Sequence, residues 1–284
     1  MMKKEVNLHF NSTSRGPGKV VENLAKGLIE NGWSAYANNA SRKDVYQGCL
    51  QAVHAIGALE KSTLMGPNLF VVPSEWGEFC KRFDRYIVPS LWVKSLYVDY
   101  IELSHATVDV WPVGIDTESW TKTTLSVKPK VLVYFKSREQ SELDNVTNAL
   151  NRNSIDFKIL KYGDYDEKDL YTACIECNCC ILLTGTESQG IAYMQILSMG
   201  LPIYVINKSK FDYFGKYKET PIDSTSVPYF DKSCGFVDNS FIEDNFLRFL
   251  SSLSDFDPGL FIREKFTLKK CANDYINLLS QNRV

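Results

Sequence analysis

An acid and an amide lie eight positions apart, Glu187 and Gln195, in the largely apolar segment GTESQGIAYMQILSMGLPIYVIN at residues 185–207. Glu187 follows a strand-like run, CCILLT, and Gly190 is expected to open the next helix. The carboxylate would then lie beside helix N-terminal amides, which bind anionic groups. Gln195, further along the same helix, offers a donor and an acceptor to sugar hydroxyls. A nucleotide diphosphate sugar combines the matching groups: phosphates, a ribose diol and a ring of hydroxyls.

Two further stretches could contact such a ligand. Lys136 and Arg138 lie in the segment YFKSREQ, at the end of the strand-like run KVLVYFK, and are candidates for neutralising the diphosphate, although exposed loop cations are also common. Near the start, Gly16, Pro17 and Gly18 are predicted to form a loop before a helix, where backbone amides can approach a phosphate or an acceptor without hindrance from a Cβ. The alternative for this loop is a plain tight turn with proline early in the helix.

Strands alternate with helices along the whole chain. In the first series a strand, EVNLHF, and a helix, VVENLAKGLIENG, are followed by strand-like runs at 46–48, 68–73, 85–89 and 107–113, with a helix ending near residue 100. A polar segment at 121–130 interrupts the pattern. A second series of strands and helices begins at residue 130 and ends with two amphipathic helices, FIEDNFLRFLSSL and FTLKKCANDYINLLS.

This alternation predicts the fold class. Continuous apolar strands between helices indicate parallel sheets covered on both faces. We therefore expect an α/β protein with two doubly wound, Rossmann-like domains, residues 1–122 and 123–284. Such sheets bind ligands at the carboxyl ends of their strands.

The composition argues against nucleic acid as a partner and indicates the cellular compartment. The 284 residues include 32 basic and 34 acidic side chains spread along the chain, with no basic stripe of the kind that nucleic acid binding needs. No apolar run approaches the ~20 residues of a membrane-spanning helix, and the start, MMKKEVNLHF, lacks a signal-peptide core. The sequence predicts a cytoplasmic protein without a transmembrane segment, and it leaves peripheral membrane contact open.

The eight cysteines favour the same compartment. Half of them crowd into CIECNCC, where regular disulfide pairing would be awkward: Cys174, Cys177, Cys179 and Cys180. The CxxC spacing within this run is the basis of a zinc alternative, but no second ligand pair follows at finger spacing. We therefore predict buried, reduced thiols and no metal site.

The segment at 185–207 resembles the donor-site signature of GT-B retaining glycosyltransferases of the family 4 kind, the group 1 glycosyl transferases. In that signature an acid, a glycine-containing turn and a second acid eight positions on precede a Gly-x-Pro ending. Four further segments follow in the family's order: RGPGKVVENLAKGL, RYIVPSLWVKSLYV, WPVGIDTESW and YGDYDEKDLYTAC. The chain departs from the signature at Gln195, where the family has its second acid.

The resemblance implies a function and assigns roles. It implies a retaining, hexosyl-type transferase that moves a sugar from a nucleotide diphosphate sugar to a hydroxyl of a glycan, a lipid-linked or a small-molecule acceptor, without cofactor or metal. Residues 1–122 would bind the acceptor and 123–284 the donor, with a cleft between them and the last helix packing back toward the first domain. The catalytic residue would be Glu187, and the other donor-binding residues would be Lys136, Arg138, Tyr162, Ser188, Gln189, Gly190, Ile191 and Gln195.

Two alternatives remain open at this stage. The short first domain and Gln195 are also compatible with a non-catalytic sugar-nucleotide binder or scaffold subunit. The same fold supports nucleotide-sugar epimerases, since fold alone does not decide function.

Overall fold

The computed structural model describes residues 4–11, 15–51, 59–122, 130–211 and 221–281. It divides into two compact units, Met1–Asp116 with Lys265–Val284, and Thr117–Glu264. The domain boundary predicted between residues 122 and 123 adjoins residues 123–129, which lie outside the described residues.

Strands and helices alternate in both units. In chain order the strands are β1 (Glu5–His9), β2 (Ser34–Ala37), β3 (Tyr46–Gln51), β4 (Leu64–Asn68), β5 (Arg85–Val88), β6 (Thr107–Val110), β7 (Lys130–Lys136), β8 (Asp156–Lys161), β9 (Cys179–Thr184), β10 (Ile203–Ile206), β11 (Lys210–Phe211), β12 (Ile222–Asp223) and β13 (Gly235–Asp238). The α-helices are α1 (Arg15–Glu30), α2 (Leu91–Val98), α3 (Gln140–Arg152), α4 (Glu167–Glu176), α5 (Ile191–Ser198), α6 (Glu243–Ser251), α7 (Pro258–Lys265) and α8 (Leu268–Ser280). In the part of the chain described, no helix is both long enough and apolar enough to cross a membrane.

The first unit is built on a parallel sheet with the strand order β2-β1-β3-β4-β5-β6. The last helix of the chain, α8, belongs to this unit and packs against α1. Gly27 of α1 permits their close approach, because a Cβ at this position would overlap the carbonyl oxygen of Leu268. The buried ring of Tyr275 on α8 stacks edge-on against Trp111, at 5.2 Å between ring centroids.

The second unit contains a parallel sheet with the strand order β13-β10-β9-β7-β8. Its first strand, β7, therefore lies between β8 and β9. One face of the sheet forms a hydrophobic core with α3 and α6 that includes Val131, Val133, Val146, Phe246 and Phe249. Right-handed crossovers place α4 and α5 on the opposite face.

The fold class predicted from the sequence is confirmed: the protein is α/β, with two Rossmann-like units. Two predictions for the first unit were wrong: the position of its fourth strand and the loop at residues 16–18. The fourth strand is Leu64–Asn68 rather than 68–73, and a 3₁₀ helix, Pro73–Arg82, follows it. The sequence of β4, LMGPN, contains glycine and proline and looks unlike a strand, but pairing with β3 and β5 on its two sides supplies its ladder.

Gly16, Pro17 and Gly18 do not form the expected loop. Helix α1 begins at Arg15, so all three lie in its first turn. Proline is compatible with this position because the first amides of a helix have no intrahelical partner. The sequence pattern failed here because two glycines among three residues normally indicate a loop.

A pair of glycine substitutions in α1 tests the packing against α8. Gly27→Ala should lower the free energy of unfolding by about 1–3 kcal/mol, because the added methyl group would overlap the backbone of α8. Gly16→Ala is the matched control in the same helix, since a Cβ at that position would have nothing within 4 Å. It should be neutral or stabilise by up to about 1 kcal/mol. Thermal unfolding of both variants would measure this, and equal shifts would contradict the packing.

Candidate functional site

The carboxyl ends of β7 and β9 lie side by side in the second unit. Lys136, the last residue of β7, is in register with Thr184, the last residue of β9. The chain leaves β7 toward one face of the sheet and β9 toward the other, which is the topological switch point where open α/β sheets bind ligands. The two exits are in contact: the Gly185 N–H donates to the Lys136 carbonyl at 2.8 Å.

An ion pair crosses this switch point. The ammonium of Lys136 lies 2.7 Å from Oε1 of Glu187, and both side chains are largely buried. The aromatic ring of Tyr162, which follows β8 and is half exposed, lies 4.6 Å from the same ammonium, a cation–π distance. Three residues predicted for the donor site are therefore brought together around one positive charge.

The loop that carries Glu187 is held rigidly. The Glu187 N–H donates to the Thr225 carbonyl at 2.9 Å. Gly190 has a φ of 77°, and a Cβ at this position would overlap the ring of Tyr193, so that only glycine fits. The Gly190 carbonyl then accepts the Met194 N–H at 3.2 Å, the first turn of α5.

The N-terminus of α5 opens at this loop. Within the described residues, no side chain caps it. The first amides of a helix attract anions, so α5 and Lys136 supply positive potential to the same region. Ser188, Gln189 and Ile191, predicted to contact the donor, flank this N-terminus and are partly exposed.

Residues 225–229, which no sequence motif indicated, stabilise the loop between β9 and α5. Ser226 is fully buried, and its hydroxyl donates to the Thr184 carbonyl at 3.2 Å. The Tyr229 N–H donates to the hydroxyl of Tyr193 at 2.9 Å. These contacts join residues 225–229 to the end of β9 and to α5, and they fix the loop in between.

Arg138 occupies a different position from the one expected of a diphosphate ligand. Its side chain is 5% exposed. Its guanidinium donates to the carbonyls of Thr184 and Ile206 at 3.0 and 2.9 Å, and to both carboxylate oxygens of Glu142. Because its donors are directed at α3 and at the ends of β9 and β10, Arg138 holds the sheet edge together.

The Arg138–Glu142 pair changes the pKa of the Glu142 carboxyl group. The hydrogen bonds from Arg138 lower the pKa of Glu142 below its ordinary value of 4.5, against a smaller opposing effect of burial. The carboxylate therefore contributes stability above pH 4.5, and this contribution is lost as the pH falls through the lowered pKa of the folded state.

Gln195 is buried, with 5% of its surface exposed. Its Nε2 donates to Oε1 of Glu167 at 2.8 Å. Glu167 is the first residue of α4 and is exposed. The amide predicted to bind the ribose is thus already engaged with a carboxylate from a neighbouring helix.

A pair of tyrosine hydroxyls interacts electrostatically with Glu187 and Tyr162. Tyr134 of β7 and Tyr165, just before α4, are hydrogen-bonded at 2.8 Å between their oxygens. Burial raises the pKa of Tyr165 to about 12 and that of Tyr134 further, so that both remain neutral near pH 7. Neither tyrosine was among the residues predicted from the sequence, although the YGDY run directly after β8 could have indicated Tyr165.

The first unit has its own polar cluster at the carboxyl end of β1. The amide of Gln47 accepts from Asn7 at 3.2 Å and lies 2.9 Å from Nε2 of His9. In the first turn of α1, Gly16 and Pro17 are exposed and Gly18 is buried. The Pro17 carbonyl accepts from Asn68, at the end of β4, at 3.3 Å.

The cysteine run lies in the core of the second unit. Cys174, Cys177, Cys179 and Cys180 are buried free thiols, and burial raises the pKa of each. The ammonium of Lys122 donates to the Cys174 and Cys177 carbonyls at the end of α4. Thiols in such surroundings are unreactive. Among the described residues, no group of three or more His, Cys, Asp or Glu side chains could hold a metal ion.

Comparison with known proteins identifies the fold. No family model and no curated protein sequence matches the chain. Among solved structures, sucrose-phosphate synthase from Thermosynechococcus elongatus aligns over 98% of both chains, with a TM-score of 0.64 and 11% identity. A glycosyltransferase from Rickettsia africae aligns over 99% of this chain and 100% of its own, with a TM-score of 0.60 and 9% identity.

The catalytic domain of starch synthase IV from Arabidopsis thaliana, solved with ADP and acarbose, aligns over 99% of both chains with a TM-score of 0.55 and 11% identity. These three structures share the GT-B fold, and the chain has that fold. At such identities the likeness extends to the fold alone.

Replacing Arg138 tests its structural role. Arg138→Met should lower the free energy of unfolding by about 2–3 kcal/mol, because it removes the charge-assisted hydrogen bonds to Glu142 and the hydrogen bonds to the Thr184 and Ile206 carbonyls. Arg152→Met is the matched control on α3. Arg152 is 60% exposed and pairs with Glu243 at the surface, so its loss should cost less than about 1 kcal/mol.

The pH dependence of the unfolding free energy distinguishes loss of the Arg138–Glu142 ion pair from loss of packing around Arg138. Below pH 4.5 the difference in unfolding free energy between wild type and Arg138→Met should narrow, because Glu142 becomes protonated. A constant difference from about pH 7 to about pH 3 in urea unfolding experiments would contradict the assignment.

Proposed function

We propose that this chain is a glycosyltransferase that moves a sugar from a nucleotide diphosphate sugar to an acceptor hydroxyl. The observation that carries the proposal is the ion pair of Lys136 and Glu187 at the switch point of the second sheet, beside the N-terminus of α5. It combines a cation suited to phosphates with a carboxylate suited to sugar hydroxyls. The GT-B fold supports the proposal.

The diphosphate would bind to Lys136 and to the first amides of α5. A phosphate competes with Glu187 for the ammonium, and the helix N-terminus attracts the anion further. The ring of Tyr162 keeps the ammonium at the edge of the sheet while its partner changes. Arg138 takes no direct part in this binding, since its guanidinium is directed to Glu142 and to backbone carbonyls.

Glu187 would bind the sugar. Once the phosphate has taken its place beside Lys136, the carboxylate can accept hydrogen bonds from sugar hydroxyls, which are donors. The loop from Glu187 to Gly190 is fixed at both ends, so little conformational entropy is lost when the sugar binds. Glu187 is therefore both the carboxylate that contacts the sugar and the switch partner of the phosphate-binding lysine.

The reaction we infer proceeds with retention of configuration. The acceptor oxygen forms a bond to the anomeric carbon as the bond from that carbon to the phosphate oxygen breaks, and the acceptor's proton passes to the departing phosphate oxygen. Lys136 and the amides of α5 stabilise the charge that develops on the leaving group. Since they supply positive charge at that point, we propose that no divalent metal and no cofactor are needed.

The acceptor is proposed to be a glycan, a lipid-linked or a small-molecule hydroxyl compound that contacts the first unit. The exposed first turn of α1, with Gly16 and Pro17, is the candidate contact. We infer that the reaction takes place in the cytoplasm, where nucleotide sugars are available.

Substitutions at the ion pair should change the affinity for a bare nucleoside diphosphate in opposite directions. Lys136→Met should weaken binding by about tenfold or more, because a charge-assisted contact is lost. Glu187→Gln should strengthen it by about two- to tenfold, because the ammonium no longer has a competing carboxylate. Isothermal titration calorimetry with ADP, UDP and GDP would measure both effects.

Lys161→Met is the matched control for this pair. Lys161 ends the neighbouring strand β8 and is exposed, with its ammonium 6.0 Å from the ring of Phe135. Its loss should change the affinity by less than about twofold. Unchanged affinity in Lys136→Met, or weaker binding in Glu187→Gln, would remove the ion pair from the donor site.

An assay for release of nucleoside diphosphate distinguishes a transferase from a non-catalytic binding protein. With a nucleotide sugar that binds, slow release of the nucleoside diphosphate should be measurable in the presence of EDTA and should be lost in Glu187→Gln. Release that requires added manganese or magnesium would contradict the metal-independent mechanism. Binding of nucleotide sugars without release under any acceptor would identify a non-catalytic sugar-nucleotide binder instead.

A further inference from the structure

We infer that Glu167, on α4, is the residue that binds the ribose diol of the nucleotide, and that Gln195 positions it. This inference rests on the proposed function. It transfers the role that the sequence pattern gives to Gln195 onto a carboxylate 28 residues earlier in the chain.

Gln195 is poorly placed to bind a ligand itself. Its side chain is buried on the inner face of α5, and its Nε2 donates to Oε1 of Glu167 at 2.8 Å. An amide so placed has its donor engaged and little surface left for a ligand. Its position suits a residue that orients another side chain.

Glu167, in contrast, is open to solvent. It begins α4, directly after the segment in which Tyr162 contacts Lys136 and Tyr165 contacts Tyr134. The carboxylate therefore lies along the same edge of the sheet as the proposed phosphate site. We place the ribose of a ligand whose phosphates bind Lys136 along this edge.

The usual explanation for an acid at this place is helix capping, and the structure assigns that role to other residues. Asp166 is the N-cap of α4 and accepts the Asp169 N–H at 2.9 Å, while Asp169 accepts the Asp166 N–H at 3.1 Å. This reciprocal capping box satisfies the helix start. The hydrogen bond from Gln195 orients the Glu167 carboxylate, and the capping box does not need this bond.

The chemistry of a vicinal diol matches a carboxylate better than an amide. The diol presents two hydroxyl donors, and a carboxylate presents two acceptor oxygens, whereas an amide has one acceptor and one donor group. In dinucleotide-binding α/β domains an acidic side chain fulfils this role toward the ribose hydroxyls. Here the diol would find its carboxylate on α4, with Gln195 fixing the orientation.

The arrangement changes what a substitution at Gln195 should do. The resemblance alone makes Gln195→Glu harmless, because it restores the commoner acid. In this structure that change would set two carboxylates in hydrogen-bonding contact, where both cannot remain ionised without repulsion. Exchanging both residues, Glu167→Gln with Gln195→Glu, keeps one acid and one amide in the pair.

The test compares each nucleoside diphosphate with its 2′-deoxy counterpart. Using whichever of ADP, UDP or GDP binds the wild type, calorimetry gives the ratio of the two affinities for wild type, Glu167→Gln, Gln195→Glu and the double exchange. Wild type should prefer the ribonucleotide. Glu167→Gln and Gln195→Glu should each lose about tenfold in ribonucleotide affinity with little change for the deoxynucleotide, as expected for a charge-assisted hydrogen bond.

The double exchange provides the decisive control. It should show about the tenfold loss of Glu167→Gln alone and not the product of the two single losses, because position 167 then carries an amide while the repulsion between two carboxylates is absent. Glu176→Gln, at the other end of α4, is the matched control: it pairs with Lys158 at 3.0 Å and should leave the preference unchanged. Thermal unfolding would verify that each variant is folded.

The outcomes distinguish this inference from the function on which it rests. If wild type binds none of the nucleoside diphosphates, the proposed function is wrong. If wild type binds but Glu167→Gln keeps the ribonucleotide preference, or weakens both nucleotides equally, the assignment of the diol to Glu167 is overturned.

Discussion

The reversal of strand order around β7 is the constraint that shapes the whole candidate site. Because β8 lies on one side of β7 and β9 on the other, the chain must leave the two adjacent strands β7 and β9 toward opposite faces. In open α/β sheets this divergence leaves a crevice at the carboxyl edge. The loop after β9, the end of β7 and the start of α5 therefore meet at one place, and polar side chains can be kept there without breaking the core.

The two basic residues at the end of β7, Lys136 and Arg138, show how this edge is built. Lys136 still belongs to the strand, and its ammonium lies between Glu187 and the ring of Tyr162. Ser137 then adopts a φ of 53°, which turns the chain, and Arg138 is directed inward. One cation is left at the carboxyl edge of the sheet, and the other holds together the strand ends and α3. The polar framework of Arg138 and Ser226 makes the edge rigid, which is what a preorganised site requires.

Much of the second unit could be predicted from the sequence because its strands are continuous apolar runs separated by amphipathic helices. The placement of Glu187 after β9, and of Gly190 at the start of α5, follows from the same pattern. The contacts could not be predicted, since they join residues far apart in the chain. The role of Arg138 depends on carbonyls of two other strands, and the engagement of Gln195 depends on a residue of α4.

The first unit was harder to predict for a local reason. Its fourth strand contains a Gly-Pro pair, and its first helix begins with glycines and a proline, so that local preference opposed the tertiary structure in both places. Hydrogen bonds from neighbouring strands outweighed the first preference. In the first turn of a helix the amides have no intrahelical partner, so the proline there costs no hydrogen bond.

The proposed function requires the ion pair at the switch point to open and hold the diphosphate of the donor. A crystal structure of the protein with a bound nucleoside diphosphate would show whether it does. We expect a phosphate oxygen within hydrogen-bonding distance of the Lys136 ammonium and next to the first amides of α5, with Glu187 released from the lysine. A nucleotide bound elsewhere, with the Lys136–Glu187 pair intact, would contradict this function of the pair.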